Sequence, residues 1–302
     1  MSPESNAYGV LLGSIASAAW AVFVYFIKRA LMNAPVLKVT AAVTTVNAAM
    51  VTIIAIGFIS IDDFRGVTKA TLAFALLAGF FHIGIARSFY YRAIHRIGPN
   101  RSIPIALTYP AVTALGASFT LGETPTLSII AGLAILLVGI TLIVQAEPSR
   151  EPEAEAHGAR WKLFGWISAG VTSLLWGVAA IFFKKASLNL HPLATAAIAL
   201  WVGAATALLL MTLSRGEESR GPIPASAWRW IFAAAVCQSI AVPFYNFAFV
   251  HTLAVRVTAL ISAQPLIVLV LGWLFLREME NITPRLVLGA LLAVIGTIFV
   301  IT

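Results

Sequence analysis

The sequence predicts an all-α membrane protein: ten transmembrane helices arranged as two inverted five-helix repeats. Three observations carry that prediction. Hydrophobic residues make up 60% of the 302-residue chain and charged residues only 11%, with a mean hydropathy of +0.93, far outside the range of soluble domains. Apolar runs of about 20 residues, long enough to cross a ~30 Å hydrocarbon layer as helices, recur from end to end. The second half of the chain also echoes the first. At an offset of 155 residues, Tyr90, Ala93, Arg101, Pro110, Leu121 and Glu123 meet Tyr245, Ala248, Arg256, Pro265, Leu276 and Glu278. At 156, Trp20, Phe26, Lys28 and Ala30 meet Trp176, Phe182, Lys184 and Ala186, and at 157, Gly132 and Gly139 meet Gly289 and Gly296.

In the first copy the spans are expected at 8–29, 36–60, 70–92, 101–121 and 126–144. In the second they are expected at 162–184, 193–213, 228–250, 256–276 and 284–301. The first span is rich in aromatic residues and closes on Lys28 and Arg29; the second follows the Asn33-Ala-Pro35 turn and stops before Asp62-Asp63. Gly98-Pro99-Asn100 ends the third, Glu123-Thr-Pro125 ends the fourth and Gly221-Pro222 precedes the eighth. The polar run between Gln145 and Lys162, with four glutamates, two prolines and two arginines, reads as a flexible linker. The expected organisation is a first repeat over 1–145, a linker over 146–161 and a second repeat over 162–302. Five spans per copy is an odd number, so the second copy enters the membrane from the opposite side. That inverts the repeats about an axis in the membrane plane, the architecture of secondary transporters, whose substrates sit near mid-membrane.

Composition also excludes several classes. The strand-like alternation of a β-barrel is absent. The formal net charge of +8 is spread over nearly every loop, the pattern of anionic-lipid contact rather than of nucleic-acid binding. The single cysteine, Cys237, lies inside an apolar run and reads as a small buried filler. The opening MSPESNAYG lacks a basic region, so the first apolar run is expected to be a retained helix rather than a signal peptide. With Arg87 set aside, fourteen Lys/Arg flank the loops after odd-numbered spans and five lie at the others. The positive-inside rule then places both termini outside.

Polar side chains within spans are the candidate functional residues, because burying them in hydrocarbon is costly. Arg87 lies past the middle of the third span, with Tyr90 and Tyr91 one turn on and His82 before it. A snorkelling anchor is its structural alternative, and His82 alone also fits a satisfied core histidine. On the eighth span Gln238, Tyr245 and Asn246 share a face and are expected to line a polar wall, interhelical glue being the rival reading. Tyr109 and Gln264 occupy matched positions on the fourth and ninth spans, each followed by a proline, Pro110 or Pro265. Arg101 and Arg256 open those spans. These two arginines and two prolines are the expected mouth or gate elements, with interfacial anchoring and packing kinks as alternatives. Trp20 and Trp176 sit mid-span, away from the interfacial belts where Trp collects. They are expected to line the substrate cavity or to fill the core. Lys28, Arg29, Lys184 and Lys185 are explained by helix-end electrostatics. No span carries a central carboxylate, and no hydrolase, protease or phosphate-loop pattern is present. An enzyme, a metal site and a cofactor are therefore not expected.

The aromatic-rich first span ending in Lys, the Pro-containing fourth span closing on Leu121-Gly-Glu123, and the 5+5 arrangement together resemble the EamA-type family of the drug/metabolite transporter superfamily. The resemblance covers nearly the whole chain. It implies a basket of helices around a central cavity that moves small metabolites, often amino acids or sugar derivatives, by alternating access. It also implies termini inside, against the charge bias, and export rather than uptake. The expected protein is a monomeric transporter in a lipid bilayer, in a bacterial inner membrane, with a small-molecule substrate and no nucleic-acid partner. Its substrate carboxylate would meet Arg87, with Trp20, Trp176, Tyr109 and Tyr245 around the apolar part. The alternatives are a facilitator or exchanger of sugar- or nucleotide-like anions and, from another class, a channel or a non-transporting scaffold.

Overall fold

A computed structural model describes residues 2–31, 34–97, 99–146, 158–214, 221–271 and 283–302. Thirteen helices are numbered here in chain order: α1 (Pro3–Leu31), α2 (Val36–Phe58), α3 (Lys69–Ala78), α4 (Arg87–Ile97), α5 (Pro99–Ala106), α6 (Tyr109–Thr120) and α7 (Leu127–Ala146) in the first repeat, then α8 (Ala159–Ser187), α9 (Pro192–Leu213), α10 (Ala225–His251), α11 (Ala254–Ser262), α12 (Gln264–Leu271) and α13 (Pro284–Ile301) in the second. Among the described residues, nine helical stretches are long and apolar enough to cross a membrane, and the shorter apolar stretch Ala254–Ile267 begins the ninth span of the sequence. The chain is an integral membrane protein. The expected linker falls almost wholly outside the described residues, as do the end of the ninth span, Leu276 and Glu278.

Three spans differ from their expected form. The third runs on to Ile97 rather than stopping near 92, because nothing breaks the helix before Gly98-Pro99. Its charged end stays helical by stacking: the Arg96 guanidinium lies 4.8 Å from the Trp161 ring centre and 5.4 Å from that of Phe164. In its middle, Gly79–Ala86 forms a π-helix between α3 and α4. The fourth and ninth spans are broken, not merely kinked. Thr108 (φ −75°, ψ −5°) separates α5 from α6, and Ala263 (φ −75°, ψ −1°) separates α11 from α12. The turns match across the repeat: Ala111 N–H donates to Thr108 O at 2.9 Å, and Leu266 N–H to Ala263 O at 3.0 Å. Proline causes both, since Pro110 and Pro265 have no N–H to continue the helical ladder.

The chain divides into two compact units that each draw on both repeats. Unit 1, residues 1–85 and 182–252, holds α1, α2, α3, the end of α8, α9 and α10. Within it α1 and α10 run antiparallel, Ser5 meeting His251 and Phe26 meeting Trp230. The third span and α9 run parallel. There a Cβ on Gly79 would lie 2.2 Å from Ala199 O, one on Gly203 would strike Ile83, and one on Gly84 would strike Thr206. Unit 2, residues 86–181 and 253–302, holds α4 to α7, most of α8, and α11 to α13. Here α7 and α13 cross antiparallel through the four repeat-matched glycines, Gly132 against Gly296 and Gly139 against Gly289. Small residues let such backbones approach where lipid supplies no hydrophobic drive. Each of these pairings has the direction that ten alternating spans demand, and the equivalent helices α7 and α13 run oppositely, as inversion requires.

Gly122 (φ +67°) adopts the left-handed conformation that glycine alone reaches cheaply. It turns the chain after α6 so that Glu123 Oε2 accepts the Ala254 N–H at 2.8 Å. The Leu-Gly-Glu sequence is thus a cap on the N-terminus of α11, favoured by the helix dipole.

Candidate functional site

In unit 1 the aromatic cluster is built on α1, α10 and the π-helical stretch. Trp20 and Tyr245 meet edge-on at 5.2 Å, and His82, which the π-helix carries, lies 6.2 Å from Tyr245 and 5.6 Å from Phe183. Trp20 and His82 are half-buried, whereas Tyr245 is 1% exposed. The unit-2 counterpart pairs Trp176 with Tyr90 at 5.1 Å. Trp20 and Trp176 are repeat equivalents, as are Tyr245 and Tyr90. Each Trp therefore packs on the Tyr of the other copy, a partner exchange that an inverted repeat generates.

The amides expected to form a polar wall are bonded between helices. Asn47 Nδ2 on α2 donates to Gln238 Oε1 at 3.2 Å, and Ser239 Oγ donates to Asn47 Oδ1 at 2.9 Å. Asn246 Oδ1 accepts from Ser187 Oγ at 3.0 Å, and its Nδ2 donates to Val242 O. Both amides are buried, so hydrogen bonding within unit 1 occupies them, the interhelical role weighed against a cavity wall. Lys184, which helix-end electrostatics alone had explained, is 3% exposed, and its Nζ donates to Thr252 O at 2.8 Å. Burial is invisible in a Lys-Lys pair, because position on the span does not say which of the two turns inward.

Unit 2 holds the rest. Arg87 opens α4 directly after the π-helix and is half-buried, one turn before Tyr90 and Tyr91. Tyr109 begins α6 at the break of the fourth span, 3% exposed, with its ring edge-on to Trp176 at 5.8 Å. Its phenol is hydrogen-bonded to Ser262, the last residue of α11, and Ser262 Oγ also donates to Leu107 O at 3.2 Å. Thr108 Oγ1 bonds Ile105 O at 2.7 Å and Ser173 Oγ at 2.8 Å. Gln264 and Pro265 begin α12 past the matching break, both half-buried, while Pro110 is buried. Of the gate candidates, Arg101 is exposed on α5. Arg256 donates to Val300 O at 3.0 Å and Thr302 O at 3.1 Å, holding the carbonyl end of α13.

The hydroxyls Thr108, Ser173 and Ser262 went unremarked in the sequence. Serine and threonine in apolar helices usually bond their own backbone. For Thr108 and Ser262 the signal that could have found them is a hydroxyl within three residues before a mid-span proline, present in both copies; no such signal marks Ser173.

The sequence profile of the EamA-like transporter family matches residues 7–145 and again 163–302. No curated protein matches the chain. A solved crystal structure, one of 29 matching chains, superposes with a TM-score of 0.79 at 16% identity, covering 98% of this chain and 97% of its own. At that identity the likeness carries the fold.

Proposed function

Because the chain belongs to the EamA-like transporter family, within the drug/metabolite transporters, we propose that it is a secondary active transporter that exports amino acids or similar carboxylate-bearing metabolites by alternating access. The observation that carries the reading is the pair of matched helix breaks, at Thr108 and Ala263, in equivalent spans of an inverted repeat. Discontinuous helices at corresponding positions of two repeats are where such transporters place substrate. In this scheme the breaks beside Tyr109 and Gln264 are also the hinges, and one chain in the inner membrane carries the whole cycle.

The carboxylate is assigned to Arg87. A guanidinium within a span is costly to bury, and Arg87 lies half-buried at the start of α4, one turn before Tyr90 and Tyr91. Its planar fork matches a carboxylate in two bonds at once. Flux of a labelled amino acid into proteoliposomes tests this assignment. Arg87→Gln is expected to weaken apparent affinity roughly 10- to 150-fold, the worth of a ~1.5–3 kcal/mol charge-assisted bond, in a protein that still folds. Lys at the position rescues only partly. Normal transport by Arg87→Gln overturns the assignment.

A further inference from the structure

Two ends of unit 1 carry the same construction, one from each copy of the repeat. At the first, the Phe26 ring stacks on Trp230 at 6.0 Å and 25°, and the Arg29 guanidinium lies 6.0 Å from the Trp230 ring centre and 5.4 Å from that of Tyr25. At the second, Phe182 stacks on Phe74 at 5.8 Å and 20°, and the Lys185 ammonium lies 5.2 Å from the Phe74 ring centre. All three members correspond at the offset of 156: Phe26 with Phe182, Arg29 with Lys185 and Trp230 with Phe74. Inversion sets the two ends on opposite faces of the membrane. On that shared scaffold the first end adds a second guanidinium, Arg229, 4.8 Å from the Trp230 ring centre, where the second has Ala73. Helix dipoles account for Arg29 and Lys185, near helix C-termini, but not for Arg229, which sits near the positive end of α10. The charge balance differs as well. Among the described residues of unit 1, the first end counts Arg29, Lys38 and Arg229 among its cations and no carboxylate. The second, besides the buried Lys184, sets Arg65, Lys69 and Lys185 against Glu4, Asp62 and Asp63.

We propose that Arg29 and Arg229, held at Trp230, dock the phosphate of an anionic phospholipid whose acyl chain lies along α10. Both arginines are exposed. Like charges brought to one ring repel, a cost that a phosphate offsets with charge-assisted bonds. Stacking on the rings fixes the planar groups before the lipid arrives. A zwitterionic headgroup is the poorer fit, because no described carboxylate at this end receives its ammonium. Beside the arginines, Trp228, Phe232, Val236 and Ile240 are exposed at every fourth position of α10. From Trp228 to Ile240 the helix rises ~18 Å, enough to cover one leaflet of a ~30 Å hydrocarbon core. The docking surface is independent of what the protein carries.

Native mass spectrometry of the purified full chain, stripped of lipid in detergent and titrated with phosphatidylglycerol or phosphatidylcholine, counts the bound lipid. Phosphatidylglycerol is expected to bind saturably and about tenfold or more tightly than phosphatidylcholine. Arg29→Gln and Arg229→Gln should each weaken it about fivefold, the worth of one cation at a lipid surface, and about 25-fold together. Lys185→Gln at the other end, and Arg160→Gln, an equal loss of exposed charge on α8, should leave it unchanged. Inorganic phosphate, which lacks the acyl chain, should not displace the lipid. The proposal is overturned if the two lipids bind alike, or if inorganic phosphate displaces phosphatidylglycerol, which marks a free-anion site. It is also overturned if Arg160→Gln weakens binding as much as Arg29→Gln and Arg229→Gln do, for that marks general surface charge. Where a Gln variant fails to fold, Arg29→Lys or Arg229→Lys takes its place. Each keeps the charge but loses the planar fork, so about twofold or greater weakening is expected, and unchanged binding overturns the proposal.

Discussion

A methyl group placed on Gly139 tests the crossing of α7 and α13. The Cβ of an alanine there would lie 2.4 Å from Ala293 N, 2.7 Å from Gly289 O and 2.9 Å from Ala293 Cα. Carbon atoms pack best at about 3.5–4.0 Å, so the clash is of the order of 1 Å. All three atoms belong to backbone, and no side chain can swing aside to relieve it. Either the helices separate or the crossing rotates, and overpacking of this kind costs about 1–3 kcal/mol. Alanine also favours helix over glycine by roughly 0.5–1 kcal/mol, which would mask part of the loss. Gly170→Ala on α8 supplies the control, because nothing lies within 4 Å of its added Cβ. Gly139→Ala is expected to fall below Gly170→Ala by about 1–3 kcal/mol. The repeat-equivalent Gly296→Ala, with Leu136 N at 2.3 Å, should behave like Gly139→Ala. Thermal melts of detergent-purified protein, followed through its eight tryptophans, make the comparison. Equal midpoints for Gly139→Ala and Gly170→Ala would refute the close crossing.

The cap and the buried amides give further expectations for the same melts. Glu123→Ala removes the carboxylate that accepts the Ala254 N–H and should cost about 1.5–3 kcal/mol, with Gln recovering part of it. Gly122→Ala forces a side chain into φ +67° and should cost about 1–2 kcal/mol. Asn47→Leu strips a partner from both Gln238 and Ser239 and should destabilise by about 1–3 kcal/mol. Adding Gln238→Leu should then restore stability rather than lower it further, since replacing both partners by apolar groups is nearly neutral. Strictly additive losses in that double variant would count against the bond.

Much of the fold was legible in the sequence because a bilayer leaves few options. An apolar run of span length must be a helix, and the echo from Tyr90 to Tyr245 with five spans per copy dictates inversion. The glycines matched across copies, Gly132 with Gly289 and Gly139 with Gly296, were legible only as part of that echo; the structure shows that they form the α7–α13 crossing. The helix breaks were less legible. Pro110 and Pro265 predict a disturbance, but kink and break differ only in how the released carbonyls find donors, and those donors come from distant residues such as Ser262. The π-helix at Gly79–Ala86 left no local signal, because close packing of Gly79 and Gly84 on α9 accompanies it. Arg87 and Tyr109 became candidates because each polar group stands alone in an apolar run. Gln238 and Asn246 carried the same signal yet bond to Asn47 and Ser187, because sequence gives the face of a helix but not what that face meets. Thr108, Ser173 and Ser262 were passed over for the converse reason, a residue type too common in helices to stand out.

The central claim, alternating access rather than an open path, is tested most directly by counterflow in proteoliposomes. The purified chain is reconstituted, and uptake of a labelled amino acid is followed with and without the same unlabelled amino acid inside, across a panel of side chains. A carrier that exposes its site to one side at a time gives uptake that saturates with concentration and is accelerated by internal unlabelled substrate for at least one member of the panel. Uptake that rises linearly with concentration and ignores the internal substrate would contradict the account and leave a channel in its place.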